Sequence, residues 1–231
     1  YYAELTGKLL PISELWKRRL IEFGANERNI KVLHMGVDLS NFQFDDTELS
    51  KPLRLPSVAR ATEKKGLVYA IDAVLECSVE CSLTIIGDGQ LLDVLRVRVK
   101  KHSKANRVIF LGAQPPESIA NYLKKSDIFI LPSVRDKSGD MEGIPVSLME
   151  AMASGVISLS TFHSGIPELI QDGINGFLVA ERDSVALKTK IEYIANAPNL
   201  PSIRRNARIT VESKFNALSL KNDLLHVMLN Y

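Results

Sequence analysis

From residue 53 onward, short apolar runs recur along the chain at 53–58, 83–86, 108–111, 128–131, 156–159 and 177–180. Runs this short, and apolar throughout rather than alternating, suit strands covered on both faces, as in a parallel sheet. The first run is the least clean, because Arg54 and Pro56 interrupt it. Between the runs, apolar residues return every three or four positions. Leu67, Ala70, Ile71, Val74 and Leu75 form one such series; Leu91, Leu92, Leu95 and Val99 a second; Ile119, Tyr122 and Leu123 a third. That period is helical. Strand–helix–strand repetition implies βαβ units with right-handed crossovers. The expected fold class is therefore α/β, a doubly wound Rossmann-like parallel sheet with helices on both faces.

The two ends are less regular. A helix is expected around Leu15, Arg18, Arg19 and residues 21–23, with Gly24 as its stop. A short strand is expected at 30–33, leading into Met35, Gly36, Val37 and Asp38, and the polar residues 40–52, closed by Pro52, read as a connector. The tail, 202–229, reads as a helix bearing Ile209, Val211, Phe215, Leu218, Leu224, Leu225 and Met228, with Arg204, Arg205 and Arg208 on a solvated face. This divides the chain into a joining segment (1–51), a Rossmann-like domain (52–201) and a C-terminal helix (202–231).

Composition narrows the function classes. With 231 residues, 45% hydrophobic and 24% charged, the chain can bury a sizeable core. Its 29 Lys and Arg against 27 Asp and Glu leave a formal charge of +2, without the basic excess of a nucleic-acid binder. Only two cysteines occur, Cys77 and Cys81, so there is no disulfide framework, and with four scattered histidines no zinc spacing. The two thiols read as reduced small residues. No apolar stretch reaches the eighteen residues that would suggest a membrane span. The opening residues 1–5 lack a basic region followed by an apolar core, and the chain does not begin with Met. The expectation is a piece of a longer, cytoplasmic protein.

Ligands of an open α/β sheet sit beyond the carboxyl ends of its strands, so the loops after the apolar runs are where chemistry is expected. In the first loop, Arg60 and Lys65 stand close to a helix start at Gly66. That makes either an anion site for a phosphate or diphosphate, or a solvated basic turn. In the second, Gly87-Asp88-Gly89 is a bare pair of glycines without the third of the dinucleotide fingerprint, which weakens an NAD-dependent dehydrogenase. In the third, Pro145 fits the first turn of a helix and Gly155 its end, so Glu142 lies just before that helix and Glu150 two turns inside it. The free N–H groups around residues 143–146 suit a phosphate. Glu150 sits among Met149, Met152 and Ala153, where a carboxylate needs donors such as ribose hydroxyls, unless it is exposed or pairs with an arginine. In the fourth, His163 reads either as a ligand contact or, more readily, as a loop residue without a catalytic part.

Taken in order, Arg60 with Lys65, Gly87-Asp88-Gly89, Glu142 with Glu150, Gly165-Ile166-Pro167-Glu168 and Asn175-Gly176-Phe177-Leu178-Val179 form a recognisable series. The sequence resembles the C-terminal, donor-binding half of the family 4 retaining glycosyltransferases, whose fold is the two-Rossmann GT-B architecture. The resemblance covers nearly the whole chain. Residues 138–145 and 163–165 are most similar to bacterial exopolysaccharide enzymes of the colanic acid type. It implies sugar transfer, with retention, from a nucleotide-diphosphate sugar to a glycan or lipid-linked acceptor. By this resemblance Arg60 and Lys65 bind the donor diphosphate and Glu142 binds the transferred sugar. Gly143, Ile144 and Val146 offer backbone N–H groups to the phosphates, Pro145 having none. Glu150 holds the ribose, and Ala113 and Gln114 meet the base. No metal or other cofactor is implied, since fixed cations and a helix terminus replace it. The acceptor, and any peripheral contact with the inner face of the membrane, fall to an N-terminal half, to which the last helix crosses back. Two positions depart from the family pattern: Ala59, where Gly is common, and Met35, where Asn is. The competing functions are an inactive nucleotide-sugar-binding module and a GT-B epimerase or phosphorylase. The intact set of Arg60, Lys65, Glu142 and Glu150 speaks against the first, and no pyridoxal-type lysine site for a phosphorylase stands out.

Overall fold

The computed structural model describes residues 7–229. The opening residues 1–5, considered above as a signal segment, lie outside them. All six apolar runs form strands: β1 (Leu53–Val58), β2 (Cys81–Ile86), β3 (Val108–Gly112), β4 (Ile128–Leu131), β5 (Ile157–Thr161) and β6 (Phe177–Val179). They pair in parallel as β1-β2-β3 and β4-β5-β6. β1 and β4 lie side by side, so the spatial order is 3-2-1-4-5-6, reversing between β1 and β4.

No regular ladder joins β1 to β4 across that seam. Odd-numbered positions flanking β1 bond toward β2, as Leu53 N–H does to Glu80 O and Ala59 N–H to Ile86 O. The even-numbered ones face β4, where Arg54 O accepts from Asp127 N–H at 2.9 Å. Pro56 is even-numbered and has no N–H to give. The Asp127 carboxylate reinforces the seam, accepting from the N–H groups of Arg54 and Ser50 at 2.7 and 2.8 Å.

Alternate strand residues feed two cores. Leu55, Leu83, Ile85, Ile128, Ile130 and Leu159 pack on one face against α2 (Leu67–Glu76), α3 (Leu92–Lys100) and α7 (Ser184–Ile194). Phe129, Leu131 and Leu178 pack on the other against α4 (Pro116–Lys124), α5 (Val146–Ala153), α6 (Ile166–Leu169) and α8 (Leu200–Lys214). This is the doubly wound arrangement. α1 (Glu14–Glu22) precedes the sheet and α9 (Ala217–Leu229) closes the described chain.

Several local expectations need correction. Residues 30–33 run parallel to 9–11, with Lys31 N–H bonded to Leu9 O and Leu33 N–H to Pro11 O, yet form only one bridge, at Ile30. The facing Pro11 has no N–H to return, so the ladder stops. The tail is two helices rather than one. They break at Phe215 and Asn216, where Val37 inserts: its N–H donates to Phe215 O and its C=O accepts from Ala217 N–H. Arg205 is exposed as expected, but Arg204 is buried and Arg208 half-buried. Arg204 bonds to Thr47 O, and Arg208 to Phe42 O and Ala153 O at 2.8 and 2.7 Å, so these cations fasten the 40–52 connector to α8. α7 was not anticipated, although Leu187, Ile191 and Ile194 are its buried stripe and Asp183 caps it by accepting from Ala186 N–H. No described helix is long and apolar enough to cross a membrane.

Candidate functional site

The reversal of strand order opens a crevice beyond the carboxyl ends of β1 and β4. The loop after β1 reaches across it. Gly66 has a φ of 61°, and a Cβ there would stand 1.9 Å from Pro132 O, so only glycine lets the two loops approach this closely. Val134 N–H then bonds to Lys64 O at 2.8 Å.

This approach brings Lys65 onto Glu142, with Nζ 2.8 Å from Oε2. Both side chains are mostly buried, 18% and 9% exposed, so the pair is only weakly screened by water. Lys64, which the sequence reading passed over, donates to Asp140 Oδ2 at 2.9 Å and lies 3.8 Å from Glu142 Oε1. The Asp140 bond and the surrounding carboxylates raise its pKa. Glu142 Oε1 itself is buried and accepts no hydrogen bond from the described residues. One oxygen of this carboxylate is satisfied and the other is not.

The main chain of Glu142 is held as well. Its N–H donates to Nε2 of His163 at 3.1 Å, and its C=O accepts from Oγ of Ser164 at 2.5 Å. His163 is 1% exposed, and its Nδ1 stands 2.6 Å from Glu181 Oε1. The loop residue of the sequence reading is thus a buried brace. His163 and Glu181 were not recognisable as partners of Glu142, because only the pairing of β4 with β5 and of β5 with β6 brings them together.

Arg60 is exposed and makes no side-chain bond or ion pair among the described residues. It lines a cavity of about 370 Å³ with Thr62, Lys64, Gln90, Asp136 and Asp140 among others. The basic turn therefore divides: Lys65 is paired and turned inward, while Arg60 is exposed and forms no ion pair among the described residues.

α5 starts at Val146 with Pro145 as its N-cap, one residue later than expected. Its first turn leaves N–H groups without helical partners. Glu150 lies further along the helix, half-buried. No described side chain pairs with it, and burial alone pushes its pKa up. With Val146 it lines a cavity of about 590 Å³ whose other walls include Gly36, Val37, Asp38, Pro116 and Glu117. Ala113 and Gln114 lie between β3 and α4; Ala113 is exposed, and Gln114 donates back to Leu111 O at 3.2 Å. The structure thus joins Lys65 and Glu142 directly, has Arg60 and Lys64 line one cavity, and places Glu150 with Val146 on a second. Gly87 serves packing, since a Cβ there would meet Ala59 O at 2.1 Å.

The profile of the family described as "Glycosyl transferases group 1" matches residues 40–210. The chain is 42% identical over 213 residues to the amylovoran biosynthesis glycosyltransferase AmsK of Erwinia amylovora, covering 90% of this chain and 52% of that protein. It is 38% identical over 226 residues to WcaL of Escherichia coli strain K12, a glycosyltransferase named for colanic acid biosynthesis, covering 95% and 56%. The chain thus spans about half the length of these relatives. Among solved structures, HepE of Anabaena in complex with UDP superposes with a TM-score of 0.87 at 20% identity, covering 97% of this chain and 64% of that one. The fold is that of one half of a GT-B enzyme.

Proposed function

This chain belongs to the glycosyl transferases group 1 family, and from that premise we propose that it is the donor-binding half of a glycosyltransferase of cell-surface polysaccharide synthesis. It holds a nucleotide-diphosphate sugar, from which the sugar passes to a glycan or lipid-linked acceptor with retention at the anomeric carbon. Support for the process comes from relatives named for amylovoran and colanic acid biosynthesis. Support for the ligand class comes from HepE, whose structures hold UDP and UDP-glucose.

The observation that carries the proposal is the carboxylate of Glu142. Lys65 satisfies one oxygen, and the other is buried without a donor among the described residues. An unsatisfied buried acceptor is costly, and a sugar hydroxyl supplies the missing donor. The ammonium of Lys65 has three protons, so it can serve Glu142 and a phosphate oxygen together. Arg60, which lines the neighbouring cavity, adds a second cation to the diphosphate. The N–H groups of Gly143, Ile144 and Val146 face the phosphates at the start of α5. Glu150 accepts from the ribose hydroxyls, and the backbone at Ala113 and Gln114 meets the base.

Breaking the sugar–phosphate bond builds negative charge on the departing diphosphate and positive charge on the sugar ring. Fixed donors at the diphosphate stabilise that separation without reorganising. Titration calorimetry of the folded chain with UDP and with GDP tests the assignment. Weak binding of at least one is expected; no heat with either would refute it.

A further inference from the structure

Glu142 is placed by more than its ion pair. Both backbone polar groups of this residue are gripped by consecutive side chains at the end of β5, the N–H by His163 and the C=O by Ser164. Ser164 reaches its carbonyl from a φ of 49°, in the left-handed region that non-glycine residues enter only where the surroundings demand it. Because the Glu142 N–H donates to Nε2, that nitrogen carries the lone pair and the ring proton sits on Nδ1. Nδ1–H then donates to Glu181 Oε1 at 2.6 Å. The second oxygen of Glu181 accepts from Arg135 N–H at 3.0 Å. Arg135 and Glu142 follow β4, His163 follows β5, and Glu181 follows β6, so one carboxylate and one imidazole tie together the ends of three neighbouring strands.

We propose that His163, oriented by Glu181, is a positioning residue that sets the Glu142 carboxylate against the transferred sugar. The proposal rests on the assignment of Glu142 to the sugar. The bonds from His163 and Ser164 run to the main chain of Glu142 and not to its carboxylate, which keeps its bond to Lys65. Loosening the brace therefore shifts the sugar-binding group and leaves Arg60, and a lysine on a flexible stem, able to hold the diphosphate. A displacement of about 1 Å at a reacting group costs about a hundredfold in rate, so the effect should fall on turnover rather than on nucleotide affinity.

The test uses the whole enzyme and the nucleotide sugar it consumes from a panel of UDP-glucose, UDP-galactose and GDP-mannose, with UDP and GDP as calorimetric probes. His163→Leu should lower kcat by at least about tenfold while the Kd for the nucleoside diphosphate stays within about twofold. His163→Gln, whose amide oxygen can accept the Glu142 N–H, should recover most of the loss. Glu181→Gln, which keeps the shape of the site, should show the same split more weakly. In the wild type, nitrogen NMR of the ring should find the proton on Nδ1. The proposal is overturned by a proton on Nε2, by kcat and nucleotide affinity falling together, or by failure of Gln to rescue. Normal turnover in His163→Leu beside a crippled Lys65→Ala overturns this proposal alone. Normal turnover in Lys65→Ala overturns the donor-site assignment itself.

Discussion

Glu142 and Glu150 stand eight residues apart, one before α5 and one within it, and the fold treats them in opposite ways. Glu142 is nearly buried, paired with Lys65 and clamped through its main chain. Glu150 is half-buried with no partner among the described residues, and its pKa is raised by burial alone. A buried charge is tolerable when a cation and hydrogen bonds compensate it, and costly when they are missing. One carboxylate is therefore prearranged by the fold, while the other is not. On the proposed assignment, preorganisation is concentrated where bond breaking needs it and withheld where binding alone is at stake.

The largest effect that could break this contrast is at Lys65. Lys65→Ala should cut turnover of the whole enzyme by about a hundredfold, the cost of removing one preorganised donor. It also strands Glu142, so the variant should unfold at lower temperature. Combining Lys65→Met with Glu142→Gln removes both charges. Melting temperature should then return toward wild type while turnover stays lost; equal recovery of both would show the pair to be structural only.

Glu150→Gln comes next. A hydrogen bond to a charged group contributes about 1.5–3 kcal/mol, so UDP or GDP affinity should fall by about tenfold or more. Stability should move the other way. Burial raises the folded-state pKa of Glu150, so the folded protein holds the proton to higher pH than the unfolded chain does. Stability is unimpaired at low pH and falls as pH rises through the raised folded value. Glu150→Gln should thus be the more stable protein at pH 7, and the two should converge near about pH 3, below the ordinary carboxylate range. Thermal melts at the two pH values decide this.

Arg60→Ala should have the smallest effect on the fold. The side chain is exposed and unpartnered among the described residues, so stability should change by less than about 0.5 kcal/mol, while nucleoside diphosphate affinity drops by several-fold. Equal loss of stability at Arg60 and Lys65 would erase the distinction between the free cation and the compensated one.

Much of this was legible in the chain. Six apolar runs announced six strands, and helical periods announced α2, α3 and α4, because burial on both faces leaves a continuous signal. The order Arg60, Lys65, Glu142, Glu150 was visible because the first three stand in the loops after β1 and β4 and the fourth lies on the helix that follows. What stayed hidden depends on neighbours distant in sequence. His163 lies 21 positions from Glu142 and 18 from Glu181, and only sheet order makes them touch. Arg204 and Arg208 looked solvated because charge predicts exposure on average, whereas carbonyls of the connector await them. The tail broke at Phe215 because Val37, far earlier in the chain, takes its backbone bonds.

Pro56 gives the fold line its character. Where the strand order turns back, the main chain offers one rung fewer than the sheet could carry, and the carboxylate of Asp127 rivets the near end instead. The two leaves of the sheet meet like pages at a spine, stitched by Asp127 at the end away from the crevice. Replacing Asp127 would unpick that stitching, and amide exchange across the spine would register it before the outer strands did.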